Sequence, residues 1–129
     1  MLRRLVQLHT VILTAASVAL LIAPGAALAE LGIVTPNFPV LALTRLIAAL
    51  LVIAAAGVLP LSQVTPAARR PALWGLTAAY SASTVLLLVQ EIAIWGSTTG
   101  AILVIAAGLL SCAFAAAALA ERRYRLAGV

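Results

Sequence analysis

Residues 98–125 read TTGAILVIAAGLLSCAFAAAALAERRYR, an uncharged and mostly aliphatic run that stops at Glu121-Arg122-Arg123-Tyr124-Arg125. A helix needs about 20 such residues to cross the hydrocarbon of a bilayer. With no water there to bond to, a spanning backbone must satisfy its own polar groups, and a helix does so within one segment. The stretch therefore reads as a spanning helix with a basic stop. Three earlier runs are likewise long and mostly apolar, one of them holding Arg45 and another Glu91. One covers about 5–23, preceded by Arg3 and Arg4 and closed by Pro24-Gly25. Another covers about 41–59, entered through Pro36-Asn37-Phe38-Pro39 and left through Pro60 and Pro66. The third covers about 72–95, after Arg69-Arg70-Pro71, with Pro71 suited to a first helical turn. With 98–120 as the fourth span, the expected fold is an all-α integral membrane four-helix bundle with short loops, a single transmembrane domain over 1–129.

Composition agrees. Hydrophobic residues make up 65% of the chain and charged residues 9%, with a mean hydropathy of +1.22. Soluble domains are about half apolar and a quarter charged, so a water-soluble fold is excluded. The net charge of +5 does not point to nucleic acid, because the basic residues fall almost wholly at span ends. All eight are arginine, a codon-usage association with GC-rich bacterial genomes. Basic residues in short loops stay cytoplasmic. The amino terminus, the loop holding Arg69 and Arg70, and the carboxyl terminus are basic, while the loop 26–40 and the turn near Gly96 have no arginine. Both termini are thus expected in the cytoplasm, in a multi-pass protein of the cell (inner or plasma) membrane. Trp95 then marks the outer interface, with Trp74 and Tyr124 near the inner one. Arg122, Arg123 and Arg125 would also attract anionic lipid.

Residues 1–29 admit a second reading. Arg3-Arg4, an apolar core and Ala27-Leu28-Ala29 before Glu30 resemble a secretory signal with an A-x-A cleavage site. The apolar stretch is as long as a true span, which favours an uncleaved helix. Either way the other three spans keep their orientation.

Small residues recur every four positions, on one helix face. Gly75, Ala79 and Ser83 form such a ladder on the third span; Gly108, Cys112, Ala116 and Ala120 form a longer one on the fourth. Small-xxx-small faces let helices approach closely in lipid, so these are expected packing faces. Cys112 has no second cysteine to pair with in the chain. No internal duplication is evident.

Polar residues inside a span are costly and point to an interior or aqueous surface. Thr77, Ser81, Thr84 and Glu91 fall within one arc of the third span, with Tyr80 beside it, and Gln7, Thr10, Thr14 and Ser17 make a second stripe on the first. Facing each other, they would line a polar track toward Glu91; the plainer reading is structural hydrogen bonding. Helical rise puts Arg45 and Glu91 at similar depth in the outer half, where they and Glu30 are expected to form a polar cluster or to snorkel to headgroups. His9, the sole histidine, reads as interfacial. One histidine makes neither a bis-histidine haem nor a zinc site within one chain. Catalytic groups in a known arrangement, a phosphate loop and paired cysteines are missing from the sequence. No cofactor or metal is expected, and the chain does not read as an enzyme. The expected function is an accessory or structural subunit that packs with other membrane subunits or with itself. The alternative is a small oligomeric transporter or channel with Glu91 as its proton- or cation-linked site.

Overall fold

The computed structural model describes the backbone of residues 2–126 and the side chains of residues 2–94 and 96–121. It is all-helical. Five α-helices run Leu2–Ile22 (α1), Pro24–Glu30 (α2), Phe38–Val58 (α3), Pro66–Gln90 (α4) and Thr98–Leu126 (α5); a 3-10 turn, Leu59–Ser62, extends α3, and a π turn, Glu91–Trp95, extends α4. Four of these segments are long and apolar enough to cross a membrane: Leu2–Ile22, Phe38–Ser62, Pro66–Ile94 and Thr98–Glu121.

Local chemistry sets the ends. Pro24 has no N–H to continue α1, and Ala23 before it leaves helical geometry at φ −134°, as the residue preceding a proline tends to do. The chain then restarts as α2, a one-to-two-turn helix that hydropathy alone does not announce. Asn37 caps α3, its Oδ1 accepting from Val40 N at 3.1 Å, which satisfies one of the free amides at a helix start. α4 starts at Pro66, six positions before the apolar run expected at 72. Thr65 is extended and Pro66 occupies the first turn, so the helix begins in polar sequence outside the apolar region. Pro71 consequently lies inside the helix, at an exposed position, rather than opening it. At the other end Gly96 adopts a left-handed φ of +55°, and its N–H bonds to Glu91 O at 2.9 Å. That i+5 bond closes the π turn, and the left-handed residue reverses the chain into α5.

The helices pack chiefly as two pairs, α1 with α3 and α4 with α5. In the first pair Ser17 Oγ donates to Ala48 O at 2.8 Å, across 31 residues of sequence, and Ala48 is fully buried. In the second pair Ser111 Oγ donates to Thr77 O at 3.2 Å. Ser111 lies 2.8 Å from Ser81 Oγ; with its proton on Thr77 O, it accepts from Ser81. Such interhelical bonds are worth about 0.6 kcal/mol each in a membrane.

The two pairs meet at one end of the molecule, the end holding Leu2 and Glu121. One buried cluster comprises Leu73, Leu110, Phe114, Ala117 and Ala118, with Leu2, Leu5, Leu76 and Tyr80 against it. The other joins Val6, Val58 and Leu61 to Leu2, Ala72 and Leu76. Toward the opposite end burial thins out. Along α4 only Leu73 is buried, while Leu86 and Ile92 are 66% and 78% exposed. Aliphatic side chains this bare along a long helix suit a solvent of lipid or protein better than water.

Candidate functional site

Within the joint between the two pairs lies a polar side chain that sequence reasoning placed at the interface. His9 is 1% exposed. Its ring meets Tyr80 edge-to-face, with centroids 5.6 Å apart and an interplanar angle of 88°, and meets Phe114 likewise at 5.4 Å and 81°. Tyr80 and Phe114 stack at 5.8 Å and 12°. Three helices, α1, α4 and α5, thus each contribute one ring. Such geometry gains from the quadrupole of the rings as well as from contact area. His9 Nδ1 is buried with no hydrogen-bond partner among the described residues. A signal for this burial existed: Val6, His9 and Ser17, the buried residues of α1, share one arc at 100° per residue.

The two polar stripes part company. Thr10 and Ser17 lie on or beside the buried arc of α1, whereas Gln7 and Thr14 are exposed, and Ser17 faces α3 through Ala48. On α4 the stripe faces α5. Ser81 and Thr77 bond to Ser111, and a Cβ added at Gly108 would come 3.7 Å from Thr84 Cγ2. Thr77 and Thr84 turn their hydroxyls onto Leu73 O and Tyr80 O four residues back, as does Thr10 onto Val6 O. This back-bonding is the usual resort of hydroxyls in membrane helices. α1 and α4 meet in the ring contact of His9 and Tyr80, whereas Ser17 faces α3, Ser81 faces α5, and Thr10, Thr77 and Thr84 bond to their own backbone.

Glu91 opens the π turn. Its Oε2 is buried and without a partner among the described residues. Arg45 and Glu30 are exposed, and Glu30 edges a shallow groove with Val18, Ala19, Ile22, Ala23, Ala26 and Ala27. Among the described residues the one ion pair is elsewhere: Arg69 Nη1 to Glu121 Oε1 at 2.8 Å, which ties the start of α4 to the end of the apolar part of α5. Glu91, Arg45 and Glu30 are not linked by an ion pair. A double-mutant cycle with Glu91→Gln and Arg45→Gln is therefore expected to be additive in unfolding free energy within about 0.5 kcal/mol. Coupling above about 1 kcal/mol would show that the two charges meet.

The small-residue ladders face mostly outward. Gly75 and Ala79 on α4 and Cys112 and Ala116 on α5 are exposed, while Ser83, Gly108 and Ala120 are half-buried. An added Cβ at Gly75 meets nothing within 4 Å. The face of α5 that packs within the chain is the neighbouring one, through Ala107, Leu110, Ser111, Phe114, Ala117 and Ala118. The side chains of Trp95, Arg122, Arg123, Tyr124 and Arg125 lie outside the described residues. Comparison of the chain with protein-family models, with curated proteins and with solved structures found no match.

Proposed function

We propose that the chain is a small, non-enzymatic, multi-pass protein of the cell (inner or plasma) membrane, with both termini in the cytoplasm. It acts as an accessory or structural subunit, packing against a larger membrane complex or against copies of itself. One observation carries the reading: the molecule leaves close-approach positions uncovered. Gly75, Ala79, Cys112 and Ala116 face outward, although small residues on membrane helices serve chiefly to bring backbones together. Internal packing is concentrated at one end, so the chain has long helix faces free for partners. Residues 1–29 are read as retained, supported by Val6, His9 and Ser17, which α1 contributes to the interior. The orientation rests on the arginine pattern: Arg3 and Arg69 lie at the end that also holds Leu2 and Glu121, with Arg4 and Arg70 beside them in sequence.

The test is native mass spectrometry of the protein taken from its source membrane in native nanodiscs. A stoichiometric larger partner or a homo-oligomer is the expected result, and Gly75→Leu with Ala116→Leu is expected to release the monomer with its helix content intact. A wild-type monomer at native expression would overturn the proposal. A second reading draws on Glu91, whose carboxylate has a buried oxygen without a partner and sits in a π turn, a feature frequent at functional sites. On that reading a homo-oligomer moves protons or small cations. Reconstituted protein would then conduct, and Glu91→Gln would abolish the flux.

A further inference from the structure

The arginines at the joined end are not equivalent. Arg4 edges a notch with Leu5, Leu8 and Ala113, and Arg70 edges another with Ala67, Pro71 and Trp74; each of these has one cation. A third cavity, of about 370 Å³, is walled by Leu2, Arg3, Ser62, Gln63 and Arg69. It combines the first turn of α1, the end of the 3-10 turn and the start of α4, bringing two guanidinium groups, a hydroxyl and a carboxamide together with no carboxylate on its wall among the described residues.

Arg69 is held in place there. Nη1 donates to Glu121 at 2.8 Å and Nη2 to Val64 O at 2.6 Å, which fixes the plane of the guanidinium. Its Nε is buried and has no acceptor among the described residues, and a buried charged donor without an acceptor calls for a partner. Arg3 has no hydrogen bond or ion pair among the described residues. Glu121 offsets the charge of Arg69, leaving Arg3 as the uncompensated cation. Ser62 Oγ reaches Leu59 O at only 3.5 Å, at the long limit for a hydroxyl, so its proton is available. Guanidinium forks match phosphate oxygens in geometry as well as charge.

We propose that this cavity binds a phosphate group, supplied by the headgroup of an anionic phospholipid. Two features favour the lipid over free phosphate. Leu2 forms part of the wall and packs into both buried clusters, so the donors stand beside apolar surface, as the glycerol and first methylenes of a lipid require. The cavity also lies at the basic end of the apolar helices, at headgroup depth in the proposed orientation, where basic pockets meet anionic lipid.

The experiment uses the full chain in nanodiscs of phosphatidylcholine doped with phosphatidylglycerol, reading by native mass spectrometry which lipid stays bound on ejection from the disc. Wild type is expected to retain phosphatidylglycerol in preference to phosphatidylcholine. Arg3→Gln should lower that preference about fivefold, and adding Gln63→Leu should bring it close to parity. Arg4→Gln, which removes the same charge one residue away, should leave it unchanged. An equal loss in Arg4→Gln would overturn the proposal in favour of diffuse attraction. So would wild type without lipid preference, and so would bound inorganic phosphate in pure phosphatidylcholine discs at the expense of lipid. Arg3 is exposed and bonds to no described residue, so its replacement tests the site without dismantling the fold.

Discussion

Phe114→Ala is expected to part the two helix pairs while leaving every helix formed. Phe114 is fully buried and meets both His9 and Tyr80, so its loss empties the contact that α1, α4 and α5 share. In soluble cores such a truncation costs about 3–5 kcal/mol. On the proposed membrane reading the separated helices still lie in an apolar medium, so the transfer part of that cost largely falls away and lost packing remains. About 2–3 kcal/mol is the expected loss. Titration with sodium dodecyl sulfate, following helicity by circular dichroism and α1–α5 proximity by energy transfer, separates the two levels. Proximity should fall at lower detergent fraction with helicity unchanged, and Leu109→Ala, on the same helix but 66% exposed, should move the midpoint by less than about 0.5 kcal/mol. Equal shifts in the two variants would show that the ring contact does not hold the pairs together.

Ala48→Phe attacks the other joint. Ala48 has no exposed surface, and its carbonyl is within 2.8 Å of Ser17 Oγ, so α1 runs close to α3 there and no room exists for a ring. Overpacking typically costs about 1–3 kcal/mol, and losing the Ser17 bond adds about 0.6 kcal/mol. Gly57, on the same helix, offers the contrast: a Cβ there meets nothing within 4 Å. Gly57→Ala should be neutral or stabilising by up to about 1 kcal/mol through helix propensity. The same detergent titration with probes on α1 and α3 reads both variants. Should Ala48→Phe leave the α1–α3 midpoint unmoved, the two helices do not pack as described.

The four long apolar helices were legible because uninterrupted apolar runs of their length stand out in sequence, and Pro24, Pro36 and Gly96 punctuate them. The helix starts were less so. α4 begins at Pro66 through a proline start in polar sequence, and hydropathy has no means of registering that; α2 is too short and too alanine-rich to stand out. The facing of the helices was the harder matter, for a physical reason. In water a buried stripe is apolar and its opposite polar, but in a bilayer lipid and interior are both apolar and the contrast vanishes. The small-residue ladder of α5 accordingly picked out Gly108, Cys112 and Ala116, one residue round from the buried face of Ala107, Ser111 and Phe114. The interfacial reading of His9 concerns depth alone and carries no signal of its sideways burial, because its partners Tyr80 and Phe114 are far away in sequence.

The chain order of the joined end carries a consequence for synthesis. Leu2, Leu5, Val6 and His9 are made well before Leu110, Phe114, Ala117 and Ala118, against which Leu2, Leu5 and His9 rest. As α3 and the start of α4 emerge, Val58, Leu61, Ala72 and Leu76 can cover Val6. His9 can meet Tyr80 once α4 is made, but the side that rests on Phe114 stays open until the second half of α5 has left the ribosome. A nascent chain halted before Leu110 would therefore carry one complete helix pair, α1 with α3, a second that lacks Ser111 and Phe114, and an open seam available to another subunit. Synthesis of the second half of α5 is what closes it.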